Sequence, residues 1–357
     1  MRPWTTLGTT LGTTLAAGAA IAALAAPAAA QSPAEFYKGK NLTVVVSAGT
    51  GGGYDTYARA FTRFFERHVP GKPSVIVQNM PGAGGLRATN HLFTTAAKDG
   101  TVIGTVHSAM TMAPLFGQKK AQFKPREFGW VGNISSESTI CVAWHTASVK
   151  TAQDLLEKPF IVGSTGAGAN MSRFPKVLNA AVGTKIKVIE GYKGGSDVVL
   201  AMERGEVEGR CGWTYSGLLS THGENYKAGR IRILLQAAIE KDPNMPDVPI
   251  ITDFVKSKLD RDALKLIFAT AVIARPVLAP PGVPADRLAA LRAAFDATMK
   301  DPEFLAYAEK NRLEIRSMSG KAAESLVREF YDSPTEVVAR ATAILGAAQG
   351  PKKGKKK

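Results

Sequence analysis

The sequence predicts an α/β fold made of two domains, and three observations carry that reading. Four glycine-rich loops each follow a predicted strand and precede a predicted helix. A βαβαβ pattern runs over residues 42–106 and then restarts after residue 150. The C-terminal part reads as helix from Asp286 onward. Alternating strands and helices of this kind form sheets with right-handed crossovers.

Leu42–Val46 is a run of buried-type strand residues. The loop Ser47–Gly53 leads into a helix over Tyr54–His68, with Tyr57, Ala58, Phe61, Phe64 and Phe65 on one face. Asp55 lies in its first turn, where the helix dipole favours an acid. Ser74–Gln78 is the next strand, followed by the loop Asn79–Gly85 and a helix over 86–97. Val102–Val106 is the third strand. Val131–Ile134 and Thr139–Trp144 read as extended.

The pattern then repeats. A helix over 152–157 precedes a strand over 160–163, the loop Gly163–Gly168 and a helix over 170–181. Ile186–Ile189 is a strand, Gly191–Gly195 the fourth loop, and Asp197–Arg204 a helix. Cys211–Tyr215 reads as an aromatic loop, Ile231–Ala237 as a strand, and Leu266–Ile273 as a further extended apolar run. Arg275–Pro284 holds four prolines and reads as a rigid connection. Helices are expected over 286–299, 302–310 and 321–345, and the first sheet is the natural place for them to pack.

Met1–Ala30 has a short basic start, an apolar segment and an A-x-A site, which predicts a secretory signal cleaved after Ala30. Residues 351–357 carry five of the lysines behind the formal net charge of +15. They contain nothing to bury and are expected to be a disordered tail. The other charges are dispersed, so nucleic-acid binding has no support beyond net charge. Cys141 and Cys211 suit either a bridge in an oxidising compartment or two buried thiols. Neither lies in a C-x-x-C motif.

No stretch fits a phosphate-binding G-x-x-x-x-G-K-[ST] loop, a complete G-x-G-x-x-G or a G-x-S-x-G elbow. The five histidines form no H-x-x-x-H pair. No metal, cofactor or catalytic residue is therefore expected. What remains is a binding cleft, because ligands of open α/β sheets sit beyond the carboxyl ends of strands. Glycine lets the backbone approach a ligand, and the helix that follows presents free N–H groups. The competing reading is a secreted enzyme acting on a phosphorylated or nucleotide-like substrate.

The loops, together with Asp99-Gly100-Thr101, Pro246-Asp247-Val248-Pro249 and Ala279–Pro284, resemble in content and order the extracytoplasmic solute receptors of tripartite tricarboxylate transporters, the Bug family. The resemblance covers the chain beyond the signal. It implies a two-domain flytrap of the periplasmic-binding-protein type, with two mixed sheets flanked by helices and crossing hinge strands. It also implies domain 1 over 32–136 plus 272–350, and domain 2 over 137–271. A small carboxylate ligand, membrane transporter subunits as partners, and a monomeric state follow from it. Carried over residue by residue, the ligand would meet Thr50, Gly51, Gly52, Asp55, Ala83 and Gly84 on one side. Ser164, Thr165, Gly166 and Asn170 would face them. Ser108, Tyr192, Asp197 and Thr214 would set selectivity.

Overall fold

The computed structural model describes residues 31–51, 53–166, 169–192 and 195–349. The expected signal segment, Gly52 and the lysine tail lie outside the described residues. Two mixed sheets flanked by helices form the body. The first has the order β11-β4-β10-β3-β1-β2. Here β1 is Asn41–Val46, β2 Ser74–Asn79, β3 Val102–Thr105, β4 Gly129–Asn133, β10 Pro276–Ala279 and β11 Met318–Ser319. β1 pairs in parallel with β2 and β3, while β10 runs antiparallel to both β3 and β4.

The second sheet has the order β7-β6-β8-β5-β9. Its strands are β5 Thr139–Trp144, β6 Pro159–Ser164, β7 Lys185–Glu190, β8 Gly209–Thr214 and β9 Ile231–Ala237. β6 is parallel to β7 and β8, and β5 is antiparallel to β8 and β9.

Val44, Val45 and Val46 are each about fully buried, so β1 is covered on both faces. One cover is α2 (Gly53–Phe65), whose expected apolar face is the observed one. Its Phe61 ring lies 5.6 Å from Phe295 of α9 (Ala285–Met299). Phe64 lies 5.7 Å from Phe304 of α10 (Pro302–Lys310). In α10, Pro302 is pre-set for a helix start. Asp301 caps it, accepting from the N–H groups of Glu303 and Phe304.

Four local readings change. Leu266–Ile273 is not extended but ends α8 (Lys258–Val272). Leu266, Ile267, Phe268 and Ala269 are all buried because this helix is covered on more than one side, which erases the one-sided period. Cys211–Thr214 belongs to β8, and α7 follows over Tyr215–Lys227. Gly212 (φ +74°) is the extra residue of a bulge between the Ile140–Trp213 and Cys141–Cys211 pairs, which is why the segment looked like a loop. The proline-rich connection contains β10, and Pro276 opens that strand, a position strands tolerate. The long terminal helix breaks before Pro334 into α11 (Gly320–Tyr331) and α12 (Thr335–Gln349).

α11 packs on β4, as expected for the first sheet. α12 instead packs on α5 (Asn170–Val182) and α8. Val337, Ala341 and Ile344 of α12 share a core with Phe160, Val177 and Phe268. Cys141 and Cys211, left open between bridge and thiols, are joined as a disulfide across β5 and β8. No helix among the described residues is long and apolar enough to cross a membrane.

Candidate ligand cleft

The cleft begins at the end of β3. Ser47 Oγ accepts the N–H of His107 at 2.8 Å, and Tyr54 Oη accepts the N–H of Ser108 at 2.9 Å. The Tyr54 and His107 rings lie 4.2 Å apart. Together these contacts fix the turn Ser108–Thr111 against the first turn of α2. Arg275, just before β10, lies over Tyr54 at 4.4 Å and Tyr57 at 4.9 Å. It pairs with Glu137 at 2.6 Å, and both side chains are largely buried.

The chain crosses between the sheets just beside this pair. Buried Asn133 accepts the Arg275 N–H at 2.9 Å and donates to the carbonyls of Ser135 and Val272. The Glu137 N–H donates to Ala271 O at 2.9 Å. Asn133 and the Glu137–Ala271 backbone bond thus tie two crossing segments together, which sets where Glu137 and Arg275 stand.

Facing them, α5 supplies Asn170, Arg173, Phe174 and Val177. α8 supplies Ile267 and Phe268, and β5 and β8 end at Thr139 and Thr214. The space enclosed is about 320 Å³. Thr214 Oγ1 accepts the Gly217 N–H at 3.1 Å as the cap of α7, leaving its own O–H to donate. Burial alone pulls the pKa of Arg173 down from the ordinary arginine value. Among the described residues no carboxylate pairs with it. Burial, and then the nearby Arg275, push His107 down from its usual value, so its ring is neutral at pH 7.

Of the residues expected to hold a ligand, Ser108, Asn170 and Thr214 line this cleft. The others do not. Thr50 and Gly51 are exposed in the first loop. Asp55 is buried and turned inward, accepting from the Gly51 N–H at 2.8 Å, from Arg59 and from Asn79. Ala83 and Gly84 stand exposed in a short turn at φ +47° and +64°. Ser164 is buried, its hydroxyl 2.7 Å from that of Ser172 and accepting the Gly166 N–H. Thr165 and Gly166 are half-buried, Tyr192 packs beside Gly163, and Asp197 is exposed on α6 (Gly195–Glu203).

Sequence reading missed Arg173, Arg275, Glu137, Tyr54 and His107. The available signal for Arg173 was its place four residues before Val177, on a helix face that also carries apolar residues. Among the described residues no cluster of His, Cys, Asp or Glu could hold a metal ion.

Asp55 organises the first loop and yields a pH prediction. Burial raises its pKa, but Arg59, the Gly51 N–H and Asn79 outweigh this and hold it at about 2. A depressed folded pKa stabilises the fold fully above the unfolded value of about 3.9, and that contribution fades as pH falls toward 2. Asp55→Asn is expected to lower unfolding stability at pH 7 by about 2 kcal/mol. In urea titrations the gap between variant and parent midpoints should narrow below about pH 4 and become small only below about pH 2. A gap that persists there would mean the charge is not what matters.

The family described as tripartite tricarboxylate transporter family receptor matches residues 68–341. The chain belongs to this family. Among curated proteins the receptor is 23% identical over 276 residues to a UPF0065 protein of Bordetella bronchiseptica, covering 75% of this chain and 76% of that protein. Among solved structures it resembles a TctC solute binding protein from Polaromonas, with TM-score 0.65 and 15% identity over 87% of this chain and 99% of that one. It also resembles an R. palustris protein solved with adipate, with TM-score 0.58 and 17% identity over 87% and 97%. At these identities the likeness is one of fold. The family and the fold are those of solute-binding proteins.

Proposed function

We propose that this receptor captures a small carboxylate in the cleft between its two sheets and delivers it to the membrane subunits of a tripartite tricarboxylate-type transporter. The observation that carries the reading is Arg173, a half-buried guanidinium on the cleft wall without a carboxylate partner among the described residues. A cation placed there at a desolvation cost fits an anionic guest. The family's receptor role and the adipate held by a protein of the same fold support the same choice.

On this reading the signal is cleaved near Ala30 and the protein works in the periplasm as a monomer. Residues 32–136 with 272–350, and residues 137–271, are the two bodies that close on the ligand. Closure follows from tighter binding to the closed form, and no chemistry is performed.

A thermal-shift screen tests it. Binding to the native state adds RT ln(1 + [L]/Kd), roughly 4 kcal/mol at a thousandfold excess over Kd. At least one small carboxylate is expected to raise the melting temperature by several degrees, and Arg173→Glu to remove that shift. Stabilisation by nucleotides and not by carboxylates would sink the reading. Delivery is checked by uptake into vesicles holding the membrane subunits, which should depend on added receptor.

A further inference from the structure

We infer that the cleft is built for a singly charged acid with an apolar body of aromatic size, its carboxylate on Arg173 and its body against Phe174 and Phe268. This rests on the carboxylate reading above and narrows it to one chemical class.

The charged side chains lining the cleft, among the described residues, are Arg173, Arg275 and Glu137. Arg275 and Glu137 neutralise each other at 2.6 Å, with side chains only 13% and 15% exposed. His107 adds no charge at pH 7. One positive charge is left over, and it matches one carboxylate. A second carboxylate would be stripped of water with no free cation among the described residues to meet it, and it would share the cleft with Glu137. Burying an unpaired carboxylate is strongly unfavourable.

The Phe174 and Phe268 rings stack with centroids 5.3 Å apart and 22° between planes. Val177 and Ile267 extend this apolar surface. Phe174 is the next residue to Arg173, so the cation and the aromatic wall sit side by side on α5. A cavity of roughly 150 Å³ holds a benzene ring. The 320 Å³ here therefore takes a ring, its carboxylate and some water. The hydroxyls of Ser108, Thr139 and Thr214 remain for a neutral hydroxyl or carbonyl on the guest.

Calorimetric titration of the purified receptor, unfolded and refolded once to strip any carried-over guest, distinguishes the cases. The panel is benzoate, phenylacetate and 4-methylpentanoate, set against succinate, malate and adipate, with benzamide as the uncharged control. A monoacid is expected to bind at least tenfold more tightly than every diacid. Arg173→Gln should weaken that monoacid roughly 10- to 100-fold. Arg173→Lys, which keeps the charge, should recover part of the loss, and benzamide affinity should not respond to either change. Phe268→Ala should weaken monoacids more than diacids. A diacid that outbinds every monoacid, or a monoacid indifferent to Arg173→Gln in a variant that unfolds at the parent's midpoint, overturns this inference and leaves the carboxylate receptor standing. Binding of neither acid class, with nucleotides bound instead, overturns both.

Discussion

Gly212→Ala is expected to remove about 3 kcal/mol of stability and most of the ligand affinity at once. Gly212 has φ +74°, a region side-chain-bearing residues rarely enter. A Cβ there would also stand 2.5 Å from the carbonyl oxygen of Asn170 and 2.8 Å from the backbone nitrogen of Met171. These are backbone atoms of the first turn of α5, and they cannot rotate out of the way. The bulge in β8 would flatten or α5 would slide, and α5 carries Asn170, Arg173 and Phe174 into the cleft. Gly183→Ala is the matched control. It also sits at positive φ (+78°), at the other end of α5, but with nothing within 4 Å of the added atom. It should lose only about 1 kcal/mol and bind normally. Urea unfolding and ligand titration of both variants measure the difference. Equal behaviour of the two would mean that close packing at Gly212 is unimportant.

Breaking the disulfide should have an effect of similar size. Cys141 and Cys211 are separated by 70 positions. Closing such a loop lowers the entropy of the unfolded chain by an amount worth about 4 kcal/mol in the chain-entropy model. Both residues are buried, so Cys141→Ala with Cys211→Ala avoids leaving polar hydroxyls in the core. The double variant, or the parent in reductant, is expected to unfold at markedly lower urea. The enclosed loop holds β6, α5, β7 and α6, so hydrogen exchange should accelerate there first. A midpoint indifferent to reductant would mean the two sulfurs do not bridge in solution.

Much of the fold could be read from residue order. The valines of β1, the phenylalanines of α2 and the glycines that end strands each carry a period or a conformational demand that needs no third dimension. The reading failed where burial comes from several directions. α8 touches α5's neighbour α12 and the cleft, so its apolar residues fall on consecutive positions and mimic a strand. β8 failed for a different reason, since one bulged glycine among aromatics looks like a turn. In the cleft, sequence found Ser108, Asn170 and Thr214 because they stand at strand and helix ends. Arg173 was invisible because a charge within a helix reads as a solvated face. Arg275 was hidden by the prolines after it. What makes each of them matter is the presence or absence of a carboxylate partner far away in the chain, Glu137 for Arg275 and none among the described residues for Arg173.

The position of β10 governs the order in which this chain can fold. It lies in the middle of the first sheet, between β3 and β4, yet its residues are Pro276–Ala279. During synthesis, β1 to β4 emerge early and must wait for their central strand. All five strands of the second sheet lie within the unbroken stretch 139–237 and can pair before that strand exists. The amino-terminal portion is thus a poor independent folder, with long-range closure as its slow step. A nascent chain stopped short of residue 276 should protect the amides of β5 to β9 more than those of β1 to β4, though less than the full chain, whose α12 completes the core around Phe160 and Val177.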